Sequence, residues 1–264
     1  IGNQINPLNT FSSGIKLDDW RLDHYFHFME VFLGAWAHAK KMNKIEAIVS
    51  EKKLTEPFHD FLGIAFPDVK IIENKNFSFS ECMIIDRFEK DLGKEKYNLN
   101  KMLVNSLEIC SRYFEELKLI IFKHFVIKEK KKPNHLNEVN CTFIMRKPPR
   151  TLIDIEKLDN FLKNKYKINL NFDNFEKESL KEQMKIIANT DILIGVHGNG
   201  LTNLLWLPKH GATIELFGNY HHYDYQIFSE ISGTRYFGFL NDISDEIIYR
   251  NKSRFKDAIG STNK

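Results

Sequence analysis

Hydrophobic positions in the second half of the chain follow two alternating patterns. Short uninterrupted apolar runs, typical of buried strands, are followed by segments in which apolar residues recur at helical spacing. Such an alternation indicates a parallel sheet with both faces covered by helices. The uninterrupted runs predict strands at residues 141–145, 168–172, 191–195, 212–216 and 236–240. The helically spaced segments predict helices at residues 153–163 and 179–188 and a short helix ending at Trp206.

The first half carries a weaker version of the same alternation. Residues 1–16 have the composition of a loop, with proline, glycine and several asparagines. A long amphipathic helix is predicted from Leu17, with Asp18 or Asp19 as its N-cap. The other elements predicted here are strands at residues 45–49, 69–72 and 83–85, an irregular segment broken by Pro57, Gly63 and Pro67, and a helix over residues 99–125.

A polar stretch at residues 128–140 separates the two halves. Its basic run precedes Pro133, a composition typical of a solvated linker. We therefore predict an α/β chain of two Rossmann-like domains, residues 1–130 and residues 131–264. The basic run consists of Lys128, Lys130, Lys131 and Lys132.

Composition excludes several classes of protein. Of the 264 residues, 42% are hydrophobic and 28% charged, which excludes a disordered or collagen-like chain. A net charge of +3 is too small to indicate a nucleic-acid partner, and no apolar stretch reaches the length of a membrane span. Cys82, Cys110 and Cys141 are odd in number and widely spaced, which favours a reducing compartment such as the cytoplasm. Because the chain begins with Ile1 rather than Met, we expect a trimmed segment, and the compartment stays open.

The segment 191–203 is the most informative part of the chain; it reads Asp-Ile-Leu-Ile-Gly-Val-His-Gly-Asn-Gly-Leu-Thr-Asn. A buried strand leads into a tight turn bracketed by Gly198 and Gly200, and a helix follows. Backbone N–H groups at such a turn approach a phosphate closely, and the helix N-terminus adds partial positive charge. His197 is placed to donate to a phosphate or to a leaving-group oxygen. Spacing alone leaves open a turn that needs glycine only for its backbone angles.

Three charged residues occur near the carboxyl ends of predicted strands. Arg146 and Arg150 follow the first strand of the second half, where two guanidiniums suit a diphosphate. Glu215 lies in the strand at residues 212–216, where a carboxylate accepts hydrogen bonds from ribose hydroxyls. The alternatives are surface arginines and an ion-paired acid at the strand end.

In the first half, the candidates for acid–base chemistry lie on one helix face. His27 and Glu30 are three residues apart, and His24 shares the face of His27. A histidine among phenylalanines is also typical of a half-buried structural residue, so both interpretations remain open.

Four segments carry a resemblance to a known family: residues 146–150, 178–183, 190–203 and 214–216. They resemble glycosyltransferase family 61, which includes O-linked N-acetylglucosaminyltransferases and plant xylosyltransferases. Residues 197–203 are similar to the family motif His-Gly-Ala-Gly-Leu-Thr-Asn, with Asn199 in place of the alanine. Asparagine tolerates left-handed backbone angles, so the loop should survive the change. In the first half the resemblance is weaker and is limited to residues 24–30.

The resemblance implies a GT-B architecture, with two facing Rossmann-like domains and mostly parallel sheets. Residues 1–130 would then form the acceptor side and residues 131–264 the nucleotide-sugar-binding domain, and whether the C-terminal tail packs back on the first domain is left open. The donor-binding residues that it implies are Arg146, Arg150, His197, Gly198, Asn199, Gly200, Leu201, Thr202, Asn203 and Glu215.

The activity implied is an inverting transfer of a sugar, from a UDP-sugar, to a hydroxyl group on a protein or glycan. The base would be His27 or Glu30, and neither a metal nor a cofactor is expected, Asp224 being an isolated acid. The segment 220–225 is either a sugar-stacking or acceptor-side loop or a packed turn at the domain interface. The resemblance is also compatible with a location in the lumen of the ER or Golgi. The alternative function is a Rossmann-type nucleotide-binding protein without transfer activity, whose first half is an interaction module. A dehydrogenase is disfavoured because the dinucleotide fingerprint is absent.

Overall fold

A computed structural model describes residues 9–18, 21–73, 77–86, 99–148, 150–218 and 224–240. The chain divides into two units, Ile1–His124 and Phe125–Lys264, each with its own parallel sheet. The α/β architecture predicted from the alternating hydrophobic pattern is thereby confirmed. The predicted boundary, between residues 130 and 131, lies a short way beyond the division between the units. Within the described ranges, no helix has the length and apolar character to cross a membrane.

The sheet of the first unit contains four parallel strands in the order β3-β2-β1-β4. They are β1 (Asn9–Asp18), β2 (Ala47–Ser50), β3 (Lys70–Glu73) and β4 (Phe77–Asp86). The strands predicted at residues 45–49, 69–72 and 83–85 correspond to β2, β3 and the end of β4. This part of the sequence-based assignment is confirmed.

The loop predicted for residues 1–16 is wrong over its described part, because residues 9–16 belong to β1. Buried Ser13, Ile15 and Leu17 alternate along this strand at the period of two expected for a sheet. Its serines and glycine give this strand the composition of a loop, which explains the wrong prediction. Gly14 has a packing role instead, because a Cβ there would collide with the ring of Phe79 on β4.

The first helix begins later than predicted. It is α1 (Tyr25–Ala39), so the start at Leu17 is wrong, and Leu17 with Asp18 belongs to β1. The predicted cap at Asp19 lies outside the described residues. Every residue from Tyr25 to Ala37 is buried, as expected for a helix that is apolar on nearly all sides.

The described residues of the first unit form two further helices, α2 (Glu56–Ala65) and α3 (Leu99–Phe125). The helix over residues 99–125 is confirmed. The irregular segment predicted around Pro57 and Gly63 is wrong, because both residues lie within α2. Pro57 occupies the first turn, where its missing N–H group costs no intrahelical hydrogen bond.

The second unit has a five-stranded, fully parallel sheet in the order β6-β5-β7-β8-β9. All five predicted strands are confirmed, with ends that differ by one or two residues. They are β5 (Cys141–Ile144), β6 (Leu170–Asp173), β7 (Ile192–Val196), β8 (Ala212–Phe217) and β9 (Arg235–Leu240).

The predicted helices of this unit are present as α4 (Ile155–Tyr166) and α5 (Leu180–Ala188). The short helix ending at Trp206 is a 3₁₀ helix, Asn199–Trp206. Sequence reasoning missed a further helix, α6 (Asp224–Ser232), which precedes β9.

A buried ion cluster at the amino end of β7 corrects the interpretation of the basic run. Lys130 pairs with Asp191, which is only 5% exposed, so this lysine is not part of a solvated linker. Asp191 also accepts a hydrogen bond from the backbone N–H of Asn140 at 2.7 Å and contacts Nε2 of His210 at 2.7 Å. The cluster holds the segment before β5 against the start of β7.

The strand order of the second unit creates a crevice at one place. From β5 the chain passes to β6 on one side, whereas from β7 it passes to β8 on the other. The connections therefore diverge between β5 and β7, at the carboxyl ends of these strands. In open α/β sheets this switch point is where ligands bind.

Candidate functional site

Two arginines from the loop after β5 reach the chain that leaves β7. Nη1 of Arg146 donates to the main-chain carbonyl of His197 at 3.1 Å, and Nη1 of Arg150 donates to the same oxygen at 3.3 Å. Because β5 and β7 are neighbours in the sheet, both guanidiniums lie at the switch point. The structure therefore brings the two arginines together with His197, which lies 51 and 47 residues further along the chain.

Gly198 permits this close approach. A Cβ at this position would collide with Nη1 of Arg146 and would lie 3.1 Å from Nη1 of Arg150. Its φ of +151° is also one that residues with side chains rarely adopt. The glycine is needed for packing against the guanidiniums as well as for its backbone angles.

The imidazole of His197 is held by a buried carboxylate. Its Nδ1 lies 2.6 Å from Oε1 of Glu215, and the hydroxyl of Tyr236 donates to Oε2 of Glu215 at 2.6 Å. The ring stacks on Phe217 at 5.6 Å between centroids and meets the edge of Tyr225 at 5.5 Å. Three adjacent strands thus supply a connected set of polar side chains.

Burial shifts the pKa values of Glu215 and of the two tyrosines around His197. It raises the pKa of the Glu215 carboxyl, and hydrogen bonds from His197 and Tyr236 oppose the rise because they favour the charged form. Burial, and then the charge of Glu215, raise the pKa of Tyr236. They raise the pKa of Tyr225 in the same way, so both phenols keep their protons.

The rest of the predicted donor loop divides into exposed and buried members. Asn199 and Gly200 are partly exposed, whereas Leu201, Thr202 and Asn203 are buried. The amide of Asn203 donates to Oε1 of Gln183 at 2.8 Å and to the carbonyl of Gly200 at 3.1 Å. Gln183 in turn donates to the carbonyls of Phe175 and Glu178, at 2.9 and 3.0 Å. These contacts brace the loop against α5.

Glu215 lies where a ribose would meet the carboxyl end of β8, but its side chain is 0% exposed. Both of its oxygens are already engaged by His197 and Tyr236. A ribose hydroxyl would have to displace one of these contacts. The ribose assignment stays a prediction.

The candidate base residues lie on α1 in the first unit. Nδ1 of His27 lies 3.1 Å from Oε2 of Glu30, and the two residues are 8% and 5% exposed. The ring of His24 is 4.9 Å from that of His27. Spacing correctly predicted a shared helix face, and the choice between a catalytic and a structural pair stays open.

Three residues around His197 were not predicted from the sequence, or were included only as part of a longer segment. Tyr236 and Phe217 were not singled out, and Tyr225 entered only as part of an aromatic segment whose residues 220–223 lie outside the described ones. The aromatic residues near the ends of adjacent strands were the available signal. Over the described parts of the chain, no three His, Cys, Asp or Glu side chains cluster to hold a metal ion, Asp224 included.

Comparison with known proteins gives one family. The model of glycosyltransferase 61 matches residues 25–214. The EGF domain-specific O-linked N-acetylglucosamine transferase of Drosophila melanogaster is 40% identical over 62 residues, which are 24% of this chain and 12% of that protein. The Mus musculus protein of the same name is 25% identical over 158 residues, 58% of this chain and 29% of that protein.

Among solved structures, the chain is similar to a putative D-3-phosphoglycerate dehydrogenase oxidoreductase from Ralstonia solanacearum. It covers 94% of this chain and 86% of its own, but at 11% identity and a TM-score of 0.27 the likeness is too slight to bear on fold or function. The chain spans less than a third of the length of the curated relatives above. The family match includes α1, the paired arginines and the glycine-rich loop, and the chain belongs to glycosyltransferase family 61.

Proposed function

We propose that this chain transfers a sugar from a nucleotide sugar, a UDP-sugar, to a hydroxyl group on a protein or glycan. One observation carries the proposal. Arg146 and Arg150 both donate to the carbonyl of His197 at the switch point, next to Gly198, where a side chain would collide with them. Membership of family 61 supports the reaction class.

The diphosphate of the donor fits this convergence of charge. A guanidinium has several N–H donors in a planar fork, so one bond to a carbonyl leaves donors for phosphate oxygens. Arg146 and Arg150 are both partly exposed, and Gly198 keeps the space beside them clear of a side chain. Charge-assisted bonds of this kind are strong and directional, which suits a diphosphate better than a neutral ligand.

The mechanism we propose is a direct displacement with inversion. The acceptor oxygen forms a bond to the anomeric carbon while the bond from that carbon to the diphosphate oxygen breaks. The acceptor proton passes to His27 or Glu30, and the departing diphosphate keeps the bonding electrons. Arg146, Arg150 and His197 would stabilise the charge that develops there.

The relatives suggest where the search for substrates should begin. Their names describe transfer of N-acetylglucosamine to EGF domains. We therefore propose UDP-N-acetylglucosamine as the first donor to test and a protein hydroxyl as the first acceptor.

A second candidate function rests on the burial of the base pair. His27 and Glu30 are 8% and 5% exposed and contact each other, as a purely structural pair would. This favours, as the alternative, a nucleotide-binding protein without transfer activity.

A thermal-shift panel of nucleotides and nucleotide sugars tests the donor. A ligand that binds only the folded chain raises its melting temperature by mass action. We expect UDP and a UDP-sugar to raise it, and uridine to do so much less. The increase should be the same in excess EDTA as with Mn²⁺ or Mg²⁺. An increase that requires the metal would reject metal-independent binding and make Asp224 the first ligand to test. No increase with any nucleotide would reject the donor site.

A further inference from the structure

We propose that Gln183 and Asn203 are positioning residues for the diphosphate of the donor. The pair fixes the carbonyl of Gly200, and with it the glycine-rich loop at residues 198–200, against the segment that follows β6. Because Asn203 is 0% exposed, it acts through the loop and not by direct contact with the donor. This role rests on the proposed function for the identity of the ligand, and on the contacts of the described residues for the pairing.

The side-chain amides of the two residues are linked in one direction. Nε2 of Gln183 donates to the carbonyls of Phe175 and Glu178, at 2.9 and 3.0 Å. Its Oε1 accepts from Nδ2 of Asn203 at 2.8 Å, and the same Nδ2 donates to the carbonyl of Gly200 at 3.1 Å. These hydrogen bonds connect three segments of the chain, namely the connection from β6 to α5, α5 itself and the loop that follows β7.

The surrounding acceptors determine the orientation of each amide. Nε2 of Gln183 faces two carbonyl oxygens, so a reversed amide would place oxygen against oxygen at both contacts. The same holds for Asn203, whose Nδ2 faces Oε1 of Gln183 and the carbonyl of Gly200. Oδ1 of Asn203 is buried without a hydrogen-bond partner among the described residues, so the contribution of this amide is its two donated bonds. A side chain without N–H donors therefore cannot replace either amide.

Close packing also restricts Gly200. A Cβ at this position would lie 3.1 Å from Cγ2 of Ile144, at the end of β5, and 3.9 Å from the ring of Phe175. Phe175 is itself buried, and its carbonyl is one of the two acceptors for Gln183. The glycine is therefore held by a hydrogen bond at its carbonyl and by apolar side chains at its Cα. Hydrogen bonds in such buried surroundings are stronger than in water, so the network limits the movement of the loop.

The loop that the pair holds lies beside the two arginines. Gly198 leaves the space that Nη1 of Arg146 and of Arg150 approach, and its carbonyl accepts from the N–H of Leu201 at 2.9 Å. The 3₁₀ helix Asn199–Trp206 starts in this loop. The first N–H groups of a helix have no partner within it, and they suit an anion. By holding the loop, the amide pair keeps these donors in place next to the guanidiniums.

Neutral variants of similar size test the pair in UDP binding. Asn203→Leu and Gln183→Met remove the donated bonds without adding charge, so a loss of affinity cannot come from repulsion of the diphosphate. Each should weaken UDP binding about tenfold and leave uridine binding nearly unchanged, because the loop is placed to contact phosphate. The double variant should bind UDP about as well as Asn203→Leu alone, because both residues act through one chain of bonds. Calorimetry with UDP and uridine would measure these affinities.

Thr142→Val is the matched control. The hydroxyls of Thr142 and Thr190 form a buried hydrogen bond of 2.8 Å near the amino ends of β5 and β7. In the variant, the hydroxyl of Thr190 keeps its bond to the carbonyl of Ile186, at 2.9 Å. Thr142→Val should lower the melting temperature slightly and leave the ratio of UDP to uridine affinity at the parental value. If Asn203→Leu does not fold, Gln183→Met alone decides the test, because it leaves the sequence of the loop intact.

Hydrogen–deuterium exchange of the ligand-free chain tests the pairing without any nucleotide. We expect the amides of residues 198–203 to exchange faster in both variants than in the parent, and those of α4 to be unchanged. Parental exchange in the loop would overturn the proposal, as would parental UDP affinity, equal losses for UDP and uridine, or additive losses in the double variant. Faster exchange in the variants of a parent that binds no UDP would reject the proposed donor while supporting the pairing.

Discussion

Replacing His27 by alanine, or Glu30 by glutamine, is expected to lower kcat by about 10²–10⁴ while donor affinity stays nearly unchanged. Loss of a general base typically has this effect on rate. The donor is assigned to Arg146, Arg150 and His197 in the other unit, so removing the base should not disturb its binding. Steady-state kinetics with a UDP-sugar and calorimetry with UDP would measure the two quantities separately.

Melting temperature is the control, because both residues are buried on α1 and their loss also removes packing. A variant that melts near the parent and has lost turnover supports the assignment. Parental kcat in both variants would show that the base lies elsewhere, and the search would move to His24 and to His221 and His222, which lie outside the described residues.

Gly198→Ala is expected to lower kcat/KM by about 100-fold. The new Cβ collides with the guanidinium of Arg146 and presses on that of Arg150. Both would have to move away from the position in which they are proposed to hold the diphosphate, and displacements of about 1 Å have effects of this size on catalysis. Kinetics at several donor concentrations would measure the change.

Gly63→Ala is the matched control, because a Cβ at that glycine in α2 meets no atom within 4 Å. It should leave kcat/KM unchanged and, as an alanine within a helix, raise stability slightly. A Gly198→Ala variant with parental kcat/KM would show that the close approach of the arginines has no part in the reaction.

The second unit was more predictable from sequence than the first, for a physical reason. Its strands are continuous apolar runs buried on both faces, such as β7, and this pattern has few alternative interpretations. β1 instead has two serines and a glycine within a strand. Gly14 is needed where Phe79 packs closely, and the hydroxyls of Ser12 and Ser13 bond to Glu46 and to the carbonyl of Lys44. Local composition does not reveal such a tertiary requirement.

The site was predictable in part. The glycine-rich loop and the two arginines are local motifs, and strand-end geometry predicts that they meet. The contacts of Glu215 depend on which strands are neighbours, since Tyr236 reaches it only because β9 pairs with β8. Helix periodicity predicts that His27 and Glu30 are neighbours, but it carries no information on how deeply they are buried.

Binding of a diphosphate at the switch point between β5 and β7 is tested most directly by calorimetry with UDP and uridine. Arg146→Ala and Arg150→Ala should each weaken UDP binding about tenfold or more and leave uridine binding nearly unchanged, because the lost bonds are to phosphate. Arg235→Ala is the control, since this arginine also donates to a main-chain carbonyl, that of His210, but at the opposite end of the sheet. Equal losses of affinity for UDP and uridine in the Arg146 and Arg150 variants would show that the two arginines do not bind the diphosphate.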